Sequence, residues 1–228
     1  MAPSDMWLRL LPIAIISAIA PLKISAMILL FRTPRGGLTG AAYVAGVAAA
    51  LLVQGLAMVL IFAAFGILAA LELETAETVS FGLLVVLGVL MLVGALRLRY
   101  HDHDDDRPPP SWMEGIESFT PRRALSLGFG WAFISPKQWI FTLAAITIIY
   151  AAGLERIGAL ANYVVFIAIA TSTLWLLVLA HSLFGERIKP ALDRLLSWLE
   201  SNTRRLIMWL LLIFGAFFLT VGIAGLAG

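Results

Sequence analysis

The apolar positions of this chain fall into about six runs, each of them long enough to cross a bilayer, for which about 20 residues suffice. The runs are continuous and rich in Ala and Leu, and they lack the alternation of a barrel strand. Inside hydrocarbon a helix pairs all of its own backbone polar groups. The pattern therefore predicts an all-α polytopic membrane protein with six transmembrane helices, over residues 7–31, 39–70, 78–98, 121–150, 157–184 and 206–227.

Two polar connections stand out between these runs. The first, residues 101–118, carries His101 to Asp106 and a run of three prolines, and we interpret it as a solvated loop rather than a metal site. It leads to Thr120 and Pro121, which are typical of a helix N-cap followed by the first helical position. The second connection, residues 186–201, has apolar residues at helical spacing with charges between them, which predicts an amphipathic helix on the membrane surface before the last span.

The distribution of Lys and Arg predicts the orientation. These residues are concentrated in the connections between runs 1 and 2, 3 and 4, and 5 and 6, whereas the opposite side has only Arg9 and Arg156 and a group of three glutamates. Because cytoplasmic connections are enriched in Lys and Arg, both termini are expected outside a plasma membrane. Composition agrees with a membrane location: 13% of residues are charged and the mean hydropathy is +0.96, against about 25% charged residues in soluble domains.

Lys23 and Lys137 are the candidate binding residues. Each follows a proline within an apolar run, in Ala20-Pro-Leu-Lys23 and in Ser135-Pro-Lys-Gln138. A lysine at membrane depth costs about 2.5–3.5 kcal/mol on insertion scales, so it usually faces a cavity or a partner, although snorkelling to the interface is the alternative. No Asp or Glu lies well inside an apolar run to neutralise these lysines, so an anionic ligand is their expected counter-ion.

The prolines at positions 21 and 136 strengthen the case for anion binding. A proline inside a helix removes one hydrogen bond and clashes with the preceding turn. The broken turn exposes N–H groups at the positive end of the following half-helix, which is suited to phosphate, sulfate or carboxylate, although a purely structural kink is the alternative. Since these two motifs begin the two halves of the chain, they predict a 3+3 inverted repeat with halves 7–100 and 119–228.

Other polar residues in the apolar runs are candidates for contacts with a substrate or between helices. Four of them join Lys23, Lys137, Pro21 and Pro136 in the predicted substrate site: Ser135, Gln138, Thr142 and Gln54. The chain has no cysteine, which excludes disulfides and thiol chemistry. No arrangement of residues resembles a catalytic centre or a phosphate loop, so no enzyme activity, metal or cofactor is expected. A net charge of +2 gives no indication of nucleic-acid binding.

Several motifs resemble the GAP family of membrane proteins, also called sulfolipid-addressing or glycopeptidolipid-addressing proteins, in the LysE exporter superfamily. They are the stretch Trp112 to Ala124 with Ser135 to Gln138 and Leu143 to Ala145, the segment Leu11 to Lys23, and Phe184 to Arg187. The resemblance implies a six-helix 3+3 fold and the movement of cell-surface glycolipids across the actinobacterial plasma membrane. The superfamily's amino-acid exporters tend to have Pro-Gly-Pro in helix 1, where this chain has Ala20-Pro21-Leu22.

These observations lead to one functional hypothesis and two alternatives. The leading hypothesis is a translocator of an anionic lipid or lipid-linked glycan within the bilayer. The alternatives are an exporter of small, amino-acid-like solutes and a non-transporting scaffold for lipid-assembly enzymes. Lipid-biosynthesis proteins or a second copy of the chain are candidate partners.

Overall fold

The computed structural model describes residues 3–64, 73–100, 115 and 118–227, and the regular structure in these ranges is helical. The α-helices are α1 (Pro3–Ala18), α2 (Pro21–Leu30), α3 (Gly36–Ala64), α4 (Leu73–Tyr100), α5 (Pro121–Ile134), α6 (Pro136–Ala151), α7 (Arg156–Ala170), α8 (Ser172–Phe184) and α9 (Lys189–Ala227). A short 3₁₀-helix, Gly185–Ile188, joins α8 to α9. The predicted all-α class is confirmed for these residues.

The helices form three to six candidate membrane spans. Helices α3, α4 and α9 are each long and apolar enough to cross a bilayer alone. The other six form three bent pairs, with angles of 46° between α1 and α2, 71° between α5 and α6, and 57° between α7 and α8. Six spans result if each pair counts as one. The third bend was not predicted from the sequence.

The described residues test only some of the predicted boundaries. The second span is described as far as Ala64, and its predicted continuation to residue 70 lies outside the described residues, as do residues 101–114 of the polar loop. The predicted N-cap is confirmed, because the Thr120 hydroxyl accepts a hydrogen bond from the Arg123 N–H at 3.4 Å.

The segment predicted to be a separate amphipathic surface helix is different in the structure. From Lys189 onward it forms one continuous 39-residue helix with the last span. Its apolar side chains Leu192, Leu196 and Leu199 are only 3–5% exposed, because this part of α9 packs against α2 and the 3₁₀-helix. The helical spacing was therefore predicted correctly, but the apolar face contacts protein.

Two seams of small residues hold the bundle together. In one, α3 packs on α5, and a Cβ at Gly46 or Gly128 would collide with the Leu125 or Tyr43 carbonyl oxygen. In the other, α4 packs on α9, and a Cβ built at Gly88 would lie 2.8 Å from the Gly215 oxygen. Small residues at membrane helix interfaces allow such close backbone approach. These seams position the broken helices around a space between them.

Candidate functional site

Both predicted proline breaks are present. Helix α1 ends at Ala18, Ala20 has an extended backbone, and Pro21 begins α2 at the first helical position. Likewise α5 ends at Ile134, Ser135 is extended, and Pro136 begins α6. Proline is favoured at this position because the N–H it lacks has no acceptor within the helix in any case. Neither Ala20 nor Ser135 provides a side-chain cap. Instead, their backbone oxygens accept hydrogen bonds from N–H groups of the first turn that follows, at 3.0–3.3 Å.

The two breaks meet at a cavity of about 500 Å³. Its walls come from α1, α2, α4, α5, α6 and α9. The lining side chains are Ile16, Ile19, Ala20, Pro21, Leu22, Lys23, Leu87, Leu90, Met91, Trp131, Ser135, Lys137, Gln138, Ile140, Phe141, Ile207, Leu210 and Leu211. The structure thus brings together all the predicted site residues except Gln54, Thr142 and Pro136, and Pro136 lies directly between two lining residues.

A polar contact links the two breaks across the cavity wall. The Lys23 ammonium donates a hydrogen bond to Oε1 of Gln138 at 3.3 Å. The Ser17 hydroxyl donates to the same oxygen, also at 3.3 Å. Gln138 is 2% exposed, and its Nε2 has no hydrogen-bond partner in the described part of the chain. The site therefore contains a buried donor that is not satisfied by the described residues.

The two lysines do not occupy equivalent positions in the two proline motifs. Counted from the prolines, Lys23 corresponds to Gln138, while Lys137 corresponds to Leu22. The Lys23–Gln138 hydrogen bond therefore joins equivalent positions of the two breaks. Lys137 is placed differently, with its Nζ 5.6 Å from the centre of the Phe141 ring, and it is exposed in the absence of a bilayer. Such a distance allows a cation–π interaction with Phe141.

Both lysines line a cavity whose other walls are mostly apolar. Among the described residues that line it there is no Asp or Glu. Bringing two ammonium groups into one apolar cavity is unfavourable without a counter-charge, because their repulsion is strengthened where the dielectric constant is low. The arrangement is thus suited to an anion.

At the α5–α6 break, side chains donate hydrogen bonds to the backbone carbonyl groups at the end of α5. Nε2 of Gln54 donates to the oxygens of Ala132 at 3.1 Å and Phe133 at 3.4 Å. Nε1 of Trp139 also donates to Phe133 O, at 2.6 Å. Thr142 then donates its hydroxyl to Oε1 of Gln54 at 3.1 Å. The first residues of α6 line the cavity, so the positive end of this half-helix lies at the cavity.

Gln54 and Thr142 therefore lie in a second polar cluster, outside the cavity lining. Their contacts stabilise the break itself. Conversely, the sequence did not predict two residues of the site: Ser17, which bonds to the cavity residue Gln138, and Trp131, which lines the cavity. Ser17 lies one turn before the first break, and a lone hydroxyl in an apolar run was the available signal. Trp131 lies one turn before the second, where an aromatic residue in an apolar run gives no signal of a cavity.

Comparison with known proteins gives one match, which covers nearly the whole chain. A protein-family model described as "Sap, sulfolipid-1-addressing protein" matches residues 10–224. The chain belongs to this family. The resemblance expected from the sequence motifs is thereby confirmed. No curated protein and no solved structure matches the chain in the corresponding comparisons.

Family membership changes how the site is interpreted. The match includes both proline breaks, the cavity and the seams around it, so the sulfolipid-1-addressing family description applies to the part of the chain that forms the site. The description names an addressing protein for a lipid rather than an enzyme. It agrees with a helical membrane protein whose buried cavity has cationic and apolar walls.

Proposed function

We propose that this protein translocates an anionic cell-surface lipid or lipid-linked glycan and binds its headgroup between the two proline breaks. The observation that carries the proposal is the cavity itself. Its apolar walls carry Lys23, Lys137 and Gln138; within the described residues, the Gln138 amide nitrogen has no hydrogen-bond partner and no carboxylate lines the cavity. The family description, which names a sulfolipid, supports a lipid carrying an anionic group.

The apolar side chains that line the cavity favour a lipid over a small polar solute as the ligand. Three of its lining side chains, Ile19, Leu22 and Leu90, are 39–53% exposed in the absence of a bilayer. In a bilayer these apolar surfaces face hydrocarbon, where a lipid tail remains solvated while its headgroup enters the site. A small-solute exporter needs no such apolar lining, and a scaffold without transport needs no charged cavity.

Helix contacts support the proposed 3+3 inverted repeat. Helix α1 of the first half packs on α7 of the second, and the pair equivalent to it under the proposed symmetry, α5 and α3, also packs together. The third helices of the halves, α4 and α9, pack on each other with Gly88 and Gly215 in mutual contact. Reciprocal contacts of this kind are what a two-fold axis in the membrane plane produces, and binding sites of such proteins lie near the repeat interface.

The proposed location is the plasma membrane with both termini outside, which follows from the Lys and Arg asymmetry. Because the chain has no cysteine, single cysteines at Glu155 and Ser201 report the orientation without background labelling. Glu155 should react with an impermeant thiol reagent in intact cells and Ser201 only after permeabilisation. The reverse pattern would invert the topology.

The headgroup site is tested by changing its charges. In phosphatidylcholine nanodiscs, Lys137→Gln should bind fluorescent phosphatidic acid at least about tenfold more weakly than the unchanged protein, since a hydrogen bond to a charged group contributes about 1.5–3 kcal/mol. Lys137→Arg should retain part of the binding because the charge persists although the donor geometry changes. Lys23→Gln should act in the same direction.

Arg156→Gln is the matched control, because it also removes one positive charge but lies on the exposed start of α7, away from the cavity. It should bind like the unchanged protein. Mass spectrometry of lipids that co-purify with each variant gives an independent readout. If Lys23→Gln and Lys137→Gln both retain full binding of phosphatidic acid, the proposed headgroup site does not exist.

A further inference from the structure

One uncharged buried donor, on a residue that lines the cavity, has no hydrogen-bond partner among the described residues. Nε2 of Gln138 makes no hydrogen bond within the described part of the chain, although the residue is 2% exposed. Buried polar groups in native proteins are nearly always paired, and an exception at a cavity indicates a group that is satisfied by a ligand or by water.

The orientation of the Gln138 amide is fixed by its neighbours. A lysine ammonium has three donors and no acceptor, so the group that faces Lys23 must be the oxygen. Ser17 donates to the same oxygen from α1. Turning the amide by half a rotation would place its NH₂ group against the ammonium, with two sets of donors facing each other. The nitrogen is therefore held on the opposite side, as a donor only.

Resting on the proposed function, we infer that Gln138 is a fixed, uncharged donor for the anionic headgroup and that Ser17 is a positioning residue for its amide. The lysines are flexible point charges that attract any anion. A planar amide locked by two hydrogen bonds adds direction, because an acceptor oxygen must lie in line with its N–H. Gln138 thus distinguishes a correctly placed headgroup oxygen from an anion that is merely nearby.

The test uses the full-length protein in phosphatidylcholine nanodiscs, with fluorescent phosphatidic acid as the probe and tail-matched fluorescent phosphatidylcholine as the neutral comparison. Gln138→Met keeps the length of the side chain but removes the donor, and it should weaken phosphatidic acid binding roughly tenfold. Gln138→Glu should weaken it further, because the new carboxylate pairs with Lys23 and repels the anion. Phosphatidylcholine binding should be unchanged in both variants.

Ser17→Ala removes one of the two hydrogen bonds that orient the amide, while Lys23 continues to hold it. Its effect should be about threefold, which corresponds to an average interhelical hydrogen bond in a membrane. Thr147→Val is the matched control, because Thr147 is a buried polar residue of α6, as Gln138 is, but it does not line the cavity. Within the described residues its hydroxyl donates to Leu143 O. It should bind both probes normally.

The outcomes separate this inference from the proposed function. If Gln138→Met binds phosphatidic acid normally while Lys137→Gln does not, Gln138 is not a headgroup donor and the lysine site remains. If binding of both probes falls equally in Gln138→Met and Gln138→Glu, the role of Gln138 is structural and the inference is overturned. If the lysine variants also bind normally, the proposed function fails and the inference fails with it.

Discussion

Gln54 and Gln138 are two buried glutamines near the same helix break, and they have opposite relations to their surroundings. They are 0% and 2% exposed, respectively. Both polar atoms of Gln54 are used, since its nitrogen donates to the end of α5 and its oxygen accepts from Thr142. In Gln138 the oxygen accepts two hydrogen bonds, but the nitrogen has no partner within the described residues.

The difference shows how one residue type serves two purposes at one break. Gln54 replaces the helical hydrogen bonds that Pro136 prevents, so it stabilises the broken conformation. Gln138 lies on the cavity side of the same break and leaves a donor for something else. Gln54 and Gln138 are equally buried, but they differ in how far the protein satisfies their hydrogen bonds. That difference separates the residue that stabilises the break from the residue that we propose to bind the headgroup.

Substitutions of Gln54 and Gln138 should differ most in how much they reduce the free energy of unfolding. Gln54→Leu leaves the Ala132 carbonyl and the Thr142 hydroxyl without their partner, and it should reduce the free energy of unfolding by about 1–3 kcal/mol. Gln138→Leu should cost about 1 kcal/mol, because each of the two interhelical hydrogen bonds that it removes contributes about 0.6 kcal/mol on average in a membrane, and Lys23 retains access to the cavity. Thermal unfolding in a mild detergent measures both. Equal losses, or a larger loss for Gln138→Leu, would remove the distinction.

Thr142→Val should have a smaller effect on stability, about 0.6 kcal/mol, because it removes one donor to the Gln54 oxygen and keeps the shape of the side chain. The same cluster predicts coupling: in the Gln54→Leu background the additional loss should be close to zero. A double-mutant cycle measures this. Strict additivity would mean that the two side chains do not act together.

Trp139→Phe should have the smallest effect of the three, below about 0.5 kcal/mol. It removes the indole donor to Phe133 O, but Gln54 remains 3.4 Å from that oxygen. In the Gln54→Leu background the oxygen would lose both donors, so the effect of Trp139→Phe should be larger there. The same unfolding assay measures both effects. If Trp139→Phe costs the same free energy of unfolding with and without Gln54→Leu, Gln54 and Trp139 do not share Phe133 O as an acceptor.

Hydropathy and proline placement predicted most of the fold. The apolar runs predicted the candidate spans, and Pro21 and Pro136 predicted two of the three bends. A proline within an apolar run removes a helical hydrogen bond, which can be recognised from the sequence. The third bend, at Thr171, has no proline. There the hydroxyls of Thr171 and Ser172 bond to carbonyl oxygens of α7, which compensates the break locally. Hydroxyls of this type are also common in straight membrane helices, so the sequence did not indicate a bend.

The candidate site was predicted in part for a similar reason. A lysine at membrane depth is costly wherever it points, so Lys23 and Lys137 could be identified from the sequence alone. A glutamine can be satisfied by a neighbouring helix or by a ligand, and only the packing decides between them. The amphipathic pattern around Leu192 and Leu196 had the same limit: its period specifies which side is apolar but not whether lipid or protein covers that side.

The seam between α4 and α9 gives the cavity one wall that resists deformation. The backbones are already in contact at Gly88 and Gly215, and neither helix is interrupted near the cavity. The facing walls end at Ala20 and Ser135, where the helical hydrogen-bond ladder is broken. We therefore expect the cavity to deform more easily on the side of the two breaks, where the half-helices α2 and α6 can tilt against the α4–α9 wall to admit a bulky ligand.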